Sequence, residues 1–348
     1  MSATIALLLA QDGLTNGLLY ALLALSILIV FLVTKVLWIS AGDFVVFGAL
    51  TMGLLSTGQV PGTVWLLLAC GVAALLSHSW RCFKVCGWHG WWKVAALCIG
   101  YPLVAWAAVR WMLAGTVPLA PAARVVLTLA LVAPMGPLVY TAVFRPLVSA
   151  SILTKLIVAV ALHTVLVGAG LLAYGPEGLR SPPLVSGRVD VGLTRLSLSL
   201  LLVLAISALL MVVLWAASER TLWGKAMRAT AVNRLGARLV GIRTESSGSI
   251  AFAVAGFIGA LSGVLIGPIT TMYYDSGFAI GLKGFIGVVF GGMLSFPGAV
   301  VGALLVGLLD SFASFFASGL RDVIVFALLI PILLWRSMSA GGHDVEEG

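Results

Sequence analysis

Long apolar runs separated by short polar breaks dominate the chain, and they set its architecture before any motif is considered. The first runs from Leu14 to Val33 without a charge. Further runs begin near residues 41, 62, 94, 124, 152, 196, 248, 281, 298 and 322. A bilayer core of about 30 Å needs about 20 mostly apolar residues for one helical crossing. Backbone polar groups cannot stay unpaired in hydrocarbon, so such runs are expected to be helices. The pattern predicts an all-α polytopic integral membrane protein with about nine to eleven transmembrane helices. Two runs fit less well: 62–77 is short, and 281–296 reads as a re-entrant or broken helix.

Composition agrees. Hydrophobic residues make up 61% and charged residues 9% of the 348, and the mean hydropathy is +1.16. A soluble domain carries roughly 25% charged residues. The longest polar segments are loops, so residues 1–348 are expected to form a single transmembrane domain, and "GGHDVEEG" at the end a short disordered tail. No Lys or Arg precedes Lys35. A secretory leader has a positive start, so the first run is expected to be a retained span. The 20 basic residues exceed the 12 acidic ones, but they gather in loops between spans, which is no nucleic-acid signature. Four cysteines, with Cys70 and Cys98 inside apolar runs, make no disulfide framework.

Short loops rich in Lys and Arg face the cytoplasm. The densest is 219–247, with Arg220, Lys225, Arg228, Arg234, Arg238 and Arg243. Counting outward from it places the 78–93 loop, Arg145 and Arg336 inside, and Asp12, Asp275 and the 174–195 loop outside. Arg180, Arg188 and Arg195 fit that assignment less well. The expected orientation is N-terminus outside and C-terminus cytoplasmic.

Three groups of residues carry candidate chemistry. Gly259, Gly263 and Gly267 recur every fourth position, as do Gly287 with Gly291 and Gly298 with Gly302. Such spacing lets helix backbones approach closely in membranes, either as packing alone or as the wall of a pathway. "VNRLGARLVGI" reads as a short capped helix, with Asn233 as N-cap and Gly241 just past its end. Leu235 and Leu239 would then present one apolar stripe to a partner. Asp43, Lys283 and Asp310 sit in or beside spans, where charge is costly and functional by default. Asp43 is alternatively a helix N-cap, and Lys283 alternatively snorkels to the interface. His163, inside "AVALHTVLVG", either binds substrate or bonds a neighbouring helix, the latter being favoured.

His78, Cys82, Cys86 and His89 supply residue types that zinc accepts. The tryptophans around them make an interfacial aromatic loop the better reading, so no metal site is expected. There is no G-x4-GK[ST] phosphate loop, H-E-x-x-H or G-x-S-x-G. The chain is expected to be no enzyme and to bind no nucleotide in the P-loop manner.

Five blocks then resemble one family. They are "GLTNGLLYALLALSILIVF" (13–31), "AGDFVVFGA" (41–49), "FRPL" (144–147), "GKAMRATAVNRLGARLVGI" (224–242) and "GLKGFIGVVFGGMLSFPGAVVGALLVGLLDSF" (281–312). Together they are similar to LivH-type inner-membrane permeases of ABC importers for branched-chain amino acids, related to urea and short-chain amide permeases. The resemblance implies a bacterial inner-membrane permease subunit that moves branched-chain or hydrophobic amino acids, urea or short-chain amides. Its implied partners are a second permease subunit (LivM-like, or a second copy), two cytoplasmic ABC ATPases, and a periplasmic or lipid-anchored substrate-binding protein. Membrane lipids surround it and nucleic acid has no part. ATP and Mg would sit on the ATPases, leaving this chain without a cofactor.

Within 224–242, Gly224, Lys225, Arg228, Asn233, Leu235, Gly236, Arg238, Leu239 and Gly241 match the family's ATPase-coupling segment. Asn16, Asp43, His163, Lys283 and Asp310 become candidates for the translocation path, with Lys283 expected to face the interior near the outer mouth. Relatives carry His before the G-[ED]-F of the second span; here the residues are Ala41 and Asp43. Residues 61–124 exceed the family pattern and read as an inserted helical hairpin. The rival readings are an ion-coupled secondary transporter and a non-transporting membrane scaffold or sensor.

Overall fold

A computed structural model describes residues 3–82, 96–114, 119–185, 187–191, 194–242, 244–293, 295–327, 330–332 and 334. The elements in chain order begin with α1 (Ala3–Thr34), α2 (Ala41–Ser56) and α3 (Thr63–Cys82). A π turn (Ala96–Gly100) leads into α4 (Tyr101–Leu113), followed by α5 (Pro121–Val132) and α6 (Met135–Val139). A second π turn (Tyr140–Phe144) precedes α7 (Ile152–Tyr174) and a small antiparallel hairpin, β1 (Arg188–Val191) with β2 (Thr194–Ser197). Then come α8 (Leu198–Arg220), α9 (Leu222–Val232), α10 (Arg234–Leu239) and α11 (Thr244–Ile266). The chain continues through α12 (Gly277–Phe290), α13 (Phe296–Phe316), a 3-10 turn (Ser318–Leu320) and α14 (Arg321–Ala327).

The expected all-α polytopic class holds, with the hairpin as a small addition. Among the described residues six helices are long and apolar enough to cross a membrane, and four shorter apolar ones accompany them. Helix α1 starts at Ala3, well before the expected Leu14, because "ATIALLLAQD" carries only one charge and no Pro or Gly. Helix α12 has 14 residues, which at 1.5 Å each make about 21 Å, short of the ~30 Å a crossing needs. The 281–296 run is thus a short helix ending at Phe290. Beyond it the chain turns through Gly292 and Met293, both at positive φ (77° and 60°).

Caps and prolines explain several boundaries. Ser151, Thr221, Asn233 and Ser295 each accept a backbone N–H of the first turn that follows, satisfying a donor with no intrahelical partner. Pro102 and Pro137 lack the N–H that the carbonyl four residues earlier would take, and each lies beside a π turn. Those two carbonyls, of Cys98 and Ala133, lie against Gly71 of α3 and Gly256 of α11, where a side chain would collide with them.

The chain divides into two compact units. One comprises residues 29–185 and 216–281. At its centre α2 packs along α11, with α5, α6 and α3 around them. A Cβ on Gly48 would meet Ala260 of α11 at 2.5 Å, and one on Gly263 would meet Ala49 of α2 at 2.7 Å. The non-helical stretch before α2 is covered by aromatics: Trp38 is buried, with ring centroids 4.6 Å from Phe252, 5.5 Å from Phe44 and 5.9 Å from Phe144. The other unit comprises residues 1–28, 186–215 and 282–348. There α13 crosses α1 where Gly307 abuts Gly17, and a Cβ on Gly13 would stand 2.9 Å from the Leu308 backbone.

Candidate functional site

The densest group of buried charge lies in the unit built on α1, α12, α13 and α14. Asp310, on the inner side of α13, is 0% exposed. Tyr20 of α1 donates its hydroxyl to Oδ2 at 2.8 Å. Arg321 embraces both carboxylate oxygens, Nε to Oδ1 at 2.7 Å and Nη2 to Oδ2 at 2.5 Å. Lys283 of α12 donates to Oδ1 at 2.9 Å, and its ammonium stands 5.9 Å from the Tyr20 ring centroid. It also reaches Asp322 Oδ1 at 3.0 Å, whose side chain is 59% exposed. Local chain geometry makes this possible. Helix α13 stops at Ala317 and a single 3-10 turn reverses the chain, which returns Arg321 to a carboxylate 11 residues earlier. Removing one partner from such a buried set leaves charge uncompensated, at a cost of about 3–5 kcal/mol.

A second pair sits in the other unit. Asp43 is the third residue of α2, whose N-cap is Ser40. It is therefore not the N-cap that the sequence left open. The carboxylate is buried and meets His163 Nδ1 of α7 at 2.8 Å. The imidazole lies against Phe278, with centroids 5.2 Å apart. Gly277 abuts Asp43 so closely that any side chain there would strike the carboxylate. His163 thus bonds a neighbouring helix. Asn16 is half-buried on α1 and belongs to neither group.

The 219–247 loop folds into a corner of two helices, α9 being an element the sequence reading did not anticipate. Gly224 is held against the end of α8, where a Cβ would lie 2.6 Å from the Ala217 carbonyl oxygen. Arg228 ties the same corner, with Nη2 2.6 Å from the Ser218 carbonyl and 3.0 Å from Glu219. Asn233 Oδ1 accepts the Gly236 N–H at 2.8 Å, so α10 begins as its sequence predicts. Its end is a Schellman motif: Gly241, at φ 85°, donates to Arg238, and Ile242 donates to Ala237 at 2.9 Å. Leu235 and Leu239 are 70% and 81% exposed, so α10 holds its apolar stripe outward. Lys225 is exposed on α9.

The glycine spacings meet different partners. Gly259 and Gly263 face α2, at Phe44 and at Ala49. Gly287 and Gly302 close the α12–α13 hairpin against Ala303 and Phe290, and Gly291 meets Gly298 and Ala299 beside its turn. Gly267 is a correction to the expected helix-packing set. Helix α11 ends at Ile266, ahead of Pro268, and Gly267 packs on Ser181 of the 175–185 loop instead of on a helix. Of the candidate zinc residues, Cys86 and His89 lie outside the described residues. Among the described residues no group of three metal-ligating side chains occurs.

Tyr20, Arg321, Asp322 and Glu219 escaped the sequence reading. The adjacent opposite charges of "LRDV" at the mouth of an apolar run were the available signal for two of them. Nothing in sequence spacing places Tyr20 beside a residue 290 positions away.

Long and short apolar helices, with buried ion pairs carried on them, define a multi-pass membrane protein. The chain belongs to the family described as the permease component of the branched-chain amino acid transport system, whose model matches residues 94–333. It is 30% identical over 215 residues to the high-affinity branched-chain amino acid transport system permease protein BraD of Pseudomonas aeruginosa, covering 59% of this chain and 69% of that protein. To LivH of Escherichia coli K12, of the same description, it is 31% identical over 198 residues, covering 55% of this chain and 64% of that one. LsrC of Shigella flexneri, an autoinducer 2 import system permease protein, is 31% identical over 125 residues, 35% of this chain and 34% of its own. No solved structure matches. The family match begins inside the 61–124 stretch expected as an insertion, and the blocks at 13–31 and 41–49 precede it.

Proposed function

We propose that this chain is the membrane-spanning permease subunit of an ABC importer for branched-chain or other hydrophobic amino acids. Family membership over residues 94–333 is the observation that carries the reading. Two cytoplasmic ATPases, holding ATP and Mg, drive transport, and this chain contributes no nucleotide site. Helix α10 is the coupling element: two capped turns hold Leu235 and Leu239 toward a partner, on a corner tied rigidly to α8 through Gly224 and Arg228. A LivM-like permease or a second copy completes the pathway, and a substrate-binding protein delivers the cargo. Asp43 with His163, Lys283 with Asp310, and Asn16 are the path candidates.

The chain sits in the bacterial inner membrane with its N-terminus outside and its C-terminus cytoplasmic. Three contacts support that count, since each joins segments assigned to one side. Lys155 donates to the Thr34 carbonyl at 3.3 Å inside. Leu179 pairs with Met272, and Ser311 donates to the Leu9 carbonyl at 2.8 Å, both outside. Residues 1–348 act as one permease domain carrying a 61–124 insertion.

Co-purification with the cognate ATPases and uptake into proteoliposomes test the reading. Leu235→Asp and Leu239→Asp are expected to abolish ATPase association while leaving thermal stability unchanged, because both side chains are exposed. ATPase docking that survives both changes removes α10 from the coupling role. Accumulation driven by an ion gradient with no ATPase present overturns the importer in favour of a secondary transporter.

A further inference from the structure

The five-residue charge group on α1, α12, α13 and α14 divides into two pairs of different character. Asp310 needs no help from Lys283. Arg321 meets both its oxygens and Tyr20 adds a third hydrogen bond, so the buried carboxylate is matched by one planar cation and one hydroxyl. Lys283 is then a surplus cation. Its ammonium has three donors: one goes to Asp310 at 2.9 Å and one to Asp322 at 3.0 Å. Charge balance at Lys283 rests on Asp322, which occupies the first turn of α14 and is 59% exposed while Lys283 is 6% exposed. The inner pair is fixed by geometry. The outer pair joins a shielded cation to a carboxylate free to swing outward.

We propose that Lys283 and Asp322 form an exchangeable ion pair that receives the head group of a zwitterionic amino acid. The ligand's α-carboxylate takes the place of Asp322 on the Lys283 ammonium, and the released Asp322 takes the ligand's α-ammonium. One internal pair becomes two pairs with the ligand, in an alternating square of charges. No proton moves and no bond forms or breaks. Asp310 and Arg321 keep their bidentate contact and hold Lys283 in place throughout. A ligand with only one of the two charges exchanges one pair for one pair and gains nothing, so the pair discriminates zwitterions from amides and simple acids. The inference rests on the amino-acid reading of the function.

The test uses the full chain in lipid nanodiscs, with L-leucine, leucinamide and 4-methylpentanoate as ligands in calorimetric titrations. Leucine is expected to bind at least about tenfold more tightly than either single-charge analogue. Asp322→Asn is expected to erase the preference for leucine over 4-methylpentanoate, tightening 4-methylpentanoate about tenfold because it no longer displaces a carboxylate from Lys283. Asp322→Glu, which keeps the charge, restores the preference for leucine. The inference falls if Asp322→Asn binds 4-methylpentanoate no more tightly than the unaltered chain does, if leucine binds the unaltered chain no better than its analogues, or if the unaltered chain binds none of them. ATP-driven uptake by the assembled importer separates the two levels. Leucine uptake that 4-methylpentanoate inhibits equally in the Asp322→Asn and unaltered complexes removes the exchange site and leaves the permease reading standing. A complex that accumulates no amino acid at all removes both.

Discussion

Replacing Gly263 by alanine tests the central helix crossing. A Cβ at that position would lie 2.7 Å from the Ala49 amide nitrogen, 2.9 Å from the Gly48 Cα, and closer still to the Val45 carbonyl oxygen. All three are backbone atoms of α2, so no side chain can rotate away to make room. Carbon atoms pack best at about 3.5–4.0 Å, so α2 and α11 must part by roughly 0.5–1 Å, forfeiting a quarter to a half of the contact energy along the seam. Overpacking of this kind costs about 1–3 kcal/mol, and the rigid neighbours put this site toward the upper end. Higher helix propensity of alanine returns at most about 1 kcal/mol. The expected net loss is about 2 kcal/mol, roughly a 30-fold fall in the folded-to-unfolded ratio.

Gly168 provides the control. It lies on α7 with nothing within 4 Å of an added Cβ, so Gly168→Ala keeps the propensity gain and meets no clash. Equilibrium unfolding of both variants in the same mixed micelles is the assay. The reasoning is refuted if Gly263→Ala proves as stable as Gly168→Ala.

Two further predictions concern the charge group and the corner. Asp310→Asn is expected to destabilise by about 3–5 kcal/mol, because Lys283 and Arg321 lose their shared buried anion; Asp322→Asn, at a half-exposed carboxylate and with Lys283 keeping Asp310, is expected to cost less. Equal melting shifts for the two in detergent would show that Asp310 is not the hub. Asn233→Ala should loosen α10 by about 1 kcal/mol through the lost cap. Gly241→Ala should loosen it by a similar amount at a left-handed position, with both effects read as faster amide exchange confined to residues 234–242. Unchanged exchange in both variants would mean that α10 is held by something other than its caps.

The sequence made the membrane class, most of the spans and the capped helix α10 legible, because each leaves a local mark. Spans show as runs of about 20 apolar residues, and Asn233 with Gly241 brackets α10 through hydrogen bonds only a few residues long. The long-range pairings were not legible. Asp310 and Lys283 were visible as expensive charges, but their meeting depends on the crossing of α12 with α13, and that of Arg321 with Asp310 on a 3-10 turn that no residue pattern announced. Asp43 was ambiguous for the same reason: its partner, His163, is 120 positions away. Gly267 misled because its four-residue spacing continues a helical series that Pro268 has already ended. Gly13 and Gly17 carry the same four-residue spacing and meet α13 at Gly307 and Leu308, a close crossing that was overlooked.

The prolines beside the two π turns tie residues on separate helices into single evolutionary characters. Pro102 denies the Cys98 carbonyl its usual N–H partner, and Gly71 leaves the space that carbonyl occupies; Pro137, Ala133 and Gly256 repeat the arrangement. A lineage that replaced Pro102 would draw the carbonyl back into its own helix, and only then could position 71 accept a side chain. Each glycine is therefore expected to drift only after its proline, so that substitutions at 71 and 102, and at 256 and 137, should appear as ordered pairs in the history of this permease.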